Sequence, residues 1–297
     1  MSHHIQYVSR PHAAQYMAGT FYPAWHKGAM APIPALSASW QAYRARAGDI
    51  EDFTRLCGLP EVPSRLPPLF VHATSFRLQM ALLARRDAPF PIWRVLQVRN
   101  QLLDLAPVAA DAALDFECRV HAHRSLPKGL EVDLHTRTLV AGTLVAESLN
   151  TFYVRGFVRP AGGNASVPAA PVATEVVAAW RMPAGGSWRF GALTGDYNPV
   201  HMWSPYARMM GFRSAFFHPL RVVGQGLAHS GLDDRVRPRR LDVWFKGPVY
   251  HDAAVQLCRR VTDQGTTLAL LPADDPRPAV VTRIRDCGVR DRIVATT

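Results

Sequence analysis

The stretch spanning residues 73–86 limits the fold more than any other. Phe76, Met80 and Leu83 recur at helical spacing, and Leu78, Ala81 and Leu82 widen the apolar stripe around much of the circumference. No Gly or Pro interrupts it. A helix with so little polar surface has to lie inside something. The next sixty residues supply a cover: strand-like runs at 93–105, 113–121, 130–140 and 143–154, several of them alternating apolar and polar residues. Short connections suit antiparallel neighbours, because parallel pairs need long crossovers. The expectation is a buried helix wrapped by about four antiparallel strands.

The pattern comes twice. A segment rich in Pro, Gly, Ala and Ser, residues 160–171, carries no charge and reads as a linker. Beyond it the sequence predicts a strand over 173–181 and a helix over 204–210, with Ser204 as a capping hydroxyl, Pro205 in the first turn and Gly211 as the stop. Pro219 opens a second apolar helix over 220–228, and strands come after it at 240–249, 253–261, 266–271 and 279–285. Short matches link the halves. Phe70-Val71-His72 and Gln79 match Phe216-Phe217-His218 and Gln225 at an offset of 146, and residues 111–116 resemble 252–257 at an offset of 141. Duplication explains a helix-then-strands order that repeats. The 297 residues suit two units, placed at 1–159 and 173–297 with the linker over 160–172. The first 65 residues are less legible; a Ser-capped helix over 37–46 and a helix over 51–57 ended by Gly58 are the expectations there.

Charge and cysteine usage narrow the class. Lys and Arg outnumber acids 34 to 23, an excess that suits an anionic partner. The charge is scattered, densest at Arg235, Arg237, Arg239 and Arg240, and forms no basic block or aromatic-interleaved RNA motif. No apolar run approaches the ~18 residues needed to cross a bilayer, and the first residues lack the pattern of a signal peptide. Cys57, Cys118, Cys258 and Cys287 are far apart and read as reduced thiols of a cytoplasmic protein. Neither a nucleic acid nor a membrane is the expected partner. His121 and His123 share a strand face, but no third ligand has readable spacing, so no metal is expected.

The chemistry concentrates in Phe190-Gly191-Ala192-Leu193-Thr194-Gly195-Asp196-Tyr197-Asn198-Pro199-Val200-His201. Gly195 permits a positive φ, Asp196 and Asn198 hold turns through backbone bonds, and Pro199 keeps Asn198 out of the helical region. The chain must bend here, and the bend presents Asp196 and His201 together. Taken alone, these residues fit either a structural turn, with His201 capping the next helix, or an acid/base pair.

These residues, with Ser204-Pro205, Ala207, Gly211-Phe212, Phe216-Phe217-His218 and Phe245-Lys246-Gly247-Pro248-Val249, resemble the MaoC-like acyl dehydratases, the (R)-specific enoyl-CoA hydratases of hot-dog fold. The likeness covers residues 173–285; the first half is similar only in plan, as in double hot-dog members with a degenerate N-terminal unit. It implies an α+β double hot-dog, each unit an antiparallel sheet around a central helix. It also implies a cofactor-free hydro-lyase that hydrates trans-2-enoyl-CoA reversibly to (R)-3-hydroxyacyl-CoA, with an acyl-CoA or acyl-carrier thioester as partner and the acyl chain housed in the first half. Asp196 and His201 would hold the water as acid and base and Asn198 would orient them. Gly195, His218, Pro219, Leu220, Gln225 and Lys246 would contact substrate. The sequence departs from the family at Pro219, where a Gly usually offers its N–H to the thioester oxygen; Pro has none. The usual helix serine is also absent from Gly224-Gln225-Gly226-Leu227. These departures keep a second reading open: an acyl-thioester binding protein, or a dehydratase of a non-standard thioester, on the same fold. One double-unit chain can supply the usual hot-dog pair itself, which leaves both monomer and homodimer open.

Overall fold

The computed structural model describes residues 3–13, 33–62, 64–85, 87–89, 92, 95–156, 169–232 and 238–293. Eleven described strands form one sheet: β1 (His3–Tyr7), β2 (Leu36–Tyr43), β3 (Val95–Asp104), β4 (Leu114–Leu126), β5 (Gly129–Val140), β6 (Thr143–Arg155), β7 (Glu175–Arg181), β8 (Arg239–Phe245), β9 (Ala254–Thr262), β10 (Gly265–Pro272) and β11 (Val280–Asp286). Their order is β1-β2-β4-β5-β6-β3-β8-β11-β10-β9-β7. Every pairing is antiparallel except β1 with β2 at the edge. The order is a palindrome about the β3–β8 pair: 2-4-5-6-3 on one side is answered by 8-11-10-9-7 on the other. Two five-stranded halves meet edge to edge there, Arg99 opposite Trp244 through Asp104 opposite Arg239.

Each half curls around one helix. In the first, α2 (Pro68–Leu83) is buried at every residue from Leu69 to Leu83, so the sequence places it inside correctly, although it starts at Pro68 rather than at residue 73. Arg86, the expected last residue, lies outside the described residues. In the second half α5 (Pro219–Ala228) takes the same place, buried from Leu220 to Gly226. Two shorter helices cross over. The helix α1 (Ala47–Cys57), from the first half, packs on α5, where an added Cβ at Gly224 would sit 2.6 Å from Cys57 Cβ. The helix α3 (Ser187–Thr194), from the second half, reaches the first, and Phe53 of α1 lies edge-on to Phe70 of α2 and stacks on Phe190 of α3, at centroid distances of 5.3 and 5.7 Å.

The duplication is therefore visible in topology, but the matched residues need correction. Leu66 N–H donates to Val108 O and Phe217 N–H to Val249 O, both at 2.8 Å. Arg65 bridges Ala109 as Phe216 bridges Tyr250. The helix starts are thus related by an offset of 151, Pro68 with Pro219, and the strands after them by 141. His218 answers to Pro67, and the 146-residue match of His72 and Gln79 with His218 and Gln225 is a coincidence of composition. His72 lies inside α2, its Nε2 2.8 Å from Asp104 Oδ1.

Residues 37–46 are also corrected. They belong mainly to β2, not to a helix, because Leu36, Ala38 and Trp40 are buried at a period of two and the strand pairs with β4 from Ser37 onward. The helix at 51–57 begins earlier, at Ala47, and ends on Gly58 at φ 68° as expected. Ser204 starts α4 (Ser204–Met209) without capping it; its Oγ pairs with Ser214 Oγ at 2.9 Å instead. Most of the expected linker, like Arg235 and Arg237, lies outside the described residues. Its last residues emerge beneath the outer face of the second half-sheet, where Ala170 and Ala173 pack with Trp244, Cys258, Ala269 and Val281. All four cysteines are free thiols. No helix among the described residues is long and apolar enough to cross a membrane.

Candidate active site

The two halves differ between the crossing helix and the central helix. Both α1 and α3 end on a glycine at positive φ, Gly58 at 68° and Gly195 at 83°. In the first half Pro68 follows Gly58 by ten residues; in the second Pro219 follows Gly195 by 24. The longer connection carries Asp196, Asn198, His201 and α4, and the first half has no room for a counterpart.

Local chemistry shapes this connection. Gly195 N–H donates to Gly191 O at 2.7 Å and closes α3. Thr194 Oγ1 accepts from Asp196 N–H at 3.3 Å. Asp196 Oδ1 accepts from Asn198 N–H at 3.2 Å, and Asn198 Oδ1 accepts from Val200 N–H at 3.3 Å, capping a 3-10 turn over Pro199–His201. One carboxylate oxygen is thus held by backbone. The other, Oδ2, faces His201 Nε2 at 3.6 Å, too long for a direct hydrogen bond. Asn198 acts here by shaping the turn that carries His201.

His201 is oriented from its far side. Its Nδ1 lies 3.0 Å from Phe216 O; a carbonyl only accepts, so Nδ1 carries the proton and Nε2 presents a lone pair toward Asp196. His218 is fixed in the same manner: its Nε2–H donates to Asp196 O at 3.0 Å. The two imidazoles lie against each other, centroids 4.2 Å apart and planes tilted by 30°, and Phe190 flanks His218 at 4.9 Å. Burial drives the ionisations. It raises the Asp196 carboxyl above its usual range, against the opposing pull of His201. It lowers His201, with Asp196 opposing, and holds His218 well below an ordinary imidazole. Acid and base are moved toward each other, which favours proton exchange between them.

The first half contributes by clamping α3. Arg77 of α2 and Arg10 donate to Ala192 O, and Arg10 also to Leu193 O at 3.1 Å, so two guanidinium groups hold the carbonyl end of α3 just before Asp196. Arg189 of α3 pairs with Asp49 and Asp52 of α1.

The remaining predicted contact residues divide. Gly195, His218, Pro219 and Leu220 gather at the start of α5. Pro219 is its first residue, and Leu220 N–H donates to no acceptor among the described residues. Gln225 is committed elsewhere, its Nε2 donating to Leu56 O at 3.2 Å, so its amide ties α5 to α1. Lys246 is exposed and joins no ion pair among the described residues. The centre of the first half is occupied by α2, and a cavity lined by Leu66 and Val108 opens at its start. His121 lies 6.0 Å from His135 between ring centroids, and His135 pairs with Glu147 in a buried contact of its own.

Sequence reasoning missed α3 and two residues. Arg221, 2% exposed in an otherwise apolar helix, donates to Leu56 O at 3.0 Å and Gly185 O at 2.6 Å, and burial lowers its guanidinium to about 10. A lone cation inside an apolar stretch was its signal. His251 lies 3.3 Å from His201 O and 3.2 Å from Ser187 Oγ, and nothing in the sequence marked it.

Two antiparallel half-sheets, each around its own helix and joined through β3 and β8, constitute a double hot-dog. No family model matches the chain. It is 26% identical over 210 residues, 70% of this chain and 74% of the relative, to 3-hydroxyacyl-thioester dehydratase X of Mycobacterium tuberculosis. The crystal structure of HtdX from that organism superposes with a TM-score of 0.72 at 21% identity, covering 84% of this chain and all of the other. A MaoC-like dehydratase from Phytophthora capsici gives 0.66 at 16% identity, covering 88% and 97%. The chain has the double hot-dog fold of these dehydratases.

Proposed function

We propose that this protein is a hydro-lyase acting on acyl thioesters, adding water to a trans-2-enoyl thioester to give the (R)-3-hydroxyacyl product and reversing that reaction. The observation that carries the reading is the pair itself: an Asp196 Oδ2 and a His201 Nε2 lone pair 3.6 Å apart, their side chains only 13% and 6% exposed, each fixed by backbone from behind. A water oxygen fits between two groups at that spacing as hydrogen-bond partner of both. One of them takes a proton as the oxygen bonds C3. The C2=C3 electron pair moves toward the thioester as an enolate, and a proton is returned to C2. The two shifted ionisations let either partner hold the proton transiently.

The enolate oxygen needs a donor. Pro219 supplies none, and the first N–H of α5 belongs to Leu220, which we assign to this role. Pro219 acts on His218 instead: it restricts the preceding residue to extended backbone, and His218 has φ −62° and ψ 138°. The similarity to a protein named 3-hydroxyacyl-thioester dehydratase X supports the same reaction class. Coenzyme A is the carrier we assign, given the basic excess of 34 against 23. The test follows the conjugated absorbance of crotonyl-CoA and of a longer enoyl-CoA. Asp196→Asn keeps the acceptor for Asn198 N–H and removes the base; His201→Ala removes its partner. Each is expected to lower kcat ~10²–10⁴-fold. Hydration that survives both changes overturns the assignment.

A further inference from the structure

The residue before α5 carries a feature that hydration does not use. His218 is 1% exposed, and its Nδ1 is a buried nitrogen with no hydrogen-bond partner, while its Nε2–H is held by Asp196 O. An orphaned buried acceptor is unfavourable by about 1–3 kcal/mol and calls for a reason. Its neighbours offer one. Asp196, His201 and His218 each present one donor atom, and these atoms lie within 4.8 Å of one another.

The outer contacts are those of metal ligands. A metal-binding imidazole nearly always donates its other ring N–H to a carbonyl or carboxylate, which fixes the ring and leaves the opposite lone pair free. Both histidines do this: His201 Nδ1–H to Phe216 O and His218 Nε2–H to Asp196 O, each at 3.0 Å. Asp196 does the equivalent, with Oδ1 held by Asn198 N–H and Oδ2 free. Ligands of a tetrahedral zinc stand roughly 3.4 Å from one another at ordinary bond lengths, and Asp196 Oδ2 and His201 Nε2 are already 3.6 Å apart. Two imidazoles and a single carboxylate suit first-row transition ions, whereas Mg²⁺ and Ca²⁺ favour a shell of oxygens.

We propose that Asp196, His201 and His218 form a binding site for a divalent first-row transition ion such as Zn²⁺, and that this ion and the reacting water exclude one another. The ion takes both groups that hold the water, so occupancy switches hydration off. The exclusion rests on the proposed function; the metal site does not.

The experiment titrates metal-free protein with Zn²⁺ in competition with a chromophoric chelator. Wild type is expected to take up one ion, and X-ray absorption of that complex to show two imidazole ligands. Asp196→Asn and His218→Gln are each expected to weaken binding ~10-fold or more, as loss of even an outer contact does; His121→Gln retains it, and Mg²⁺ does not compete. Circular dichroism establishes that the variants are folded. Equal affinity in all variants, or a wild-type complex without imidazole ligation, overturns the site. In the enoyl-CoA assay Zn²⁺ is expected to lower the apparent kcat. Bound Zn²⁺ that leaves hydration unchanged or accelerates it overturns the exclusion. Absence of hydration by metal-free protein sinks the proposed function and leaves the chelator titration to decide the metal site.

Discussion

Pro219→Gly tests how this site manages without the usual glycine. The substitution restores an N–H at the first position of α5, where an oxyanion donor is worth ~10²–10³-fold in kcat. A gain of that size is expected only if the site lacks a donor. Leu220 N–H, one residue on, is already without an acceptor among the described residues. The substitution also releases His218, which Pro219 keeps extended at ψ 138° between Phe190 and His201. The two effects oppose each other, and the expected kcat/KM with crotonyl-CoA stays within ~10-fold of wild type. Stability falls in any case. Replacing Pro by Gly frees the unfolded chain at a position whose native φ suits Pro, a loss of about 1 kcal/mol, or about 2–4 °C in Tm for a domain of 150–250 residues. The measurements are steady-state hydration rates and a thermal melt on the same preparation. A rise in kcat/KM of ~100-fold or more would refute the assignment of Leu220 as the donor. It would also favour the second reading, a protein selected for another thioester or for binding alone. An unchanged Tm would refute the helix-start argument.

Three further outcomes are expected from the packing and the ionisations. Arg77→Met keeps the buried volume of α2 but removes one of the two guanidinium donors to Ala192 O, leaving Arg10; kcat/KM is expected to fall up to ~10²-fold through displacement of Asp196, and an unchanged rate would refute a positioning role for Arg77. Gly224→Ala places a Cβ 2.6 Å from Cys57 Cβ; overpacking between α1 and α5 is expected to lower stability by about 1–3 kcal/mol by denaturant melt, and Cys57→Ala, which keeps its Cβ, is expected not to rescue it. His201, His218 and His251 are all lowered by burial, so below pH 6.5 the unfolded chain binds protons that the native one refuses. Their contribution is present above pH 6.5 and is lost as pH falls through the folded values, at up to about 1.4 kcal/mol per pH unit for each histidine. The raised Asp196 works in the opposite sense, from about pH 3.8 upward to its folded value. Chemical melts between pH 7 and pH 5 check this, and a His218→Gln variant with an undiminished slope would refute the part assigned to His218.

Much of this protein was determined locally. The apolar circumference of α2 required a cover, and the strands that supply it announced themselves by alternation. Asp196, Asn198 and Pro199 shape the turn locally, because each acts on backbone within two residues. Pro219 fixed the start of α5 for the same reason. What the sequence could not carry was anything set by contact between distant residues. The apparent pairing of His72 with His218 looked like duplication, but the bridges Arg65–Ala109 and Phe216–Tyr250 put the true register five residues away. Residues 37–46 hold good helix formers, yet pairing with β4 made most of them a strand. Gln225 donates its amide to Leu56 O because α1, 168 to 178 residues earlier in the chain, lies against it. The chemistry of the turn divides the same way. Local bonds hold Asp196 Oδ1 and start the turn under His201. Only the fold brings Phe216 O behind His201, stacks His218 on it, and buries all three deeply enough to move their proton affinities. A side chain's identity is written in the sequence; the dielectric around it and the partner on its far side are properties of the packed interior.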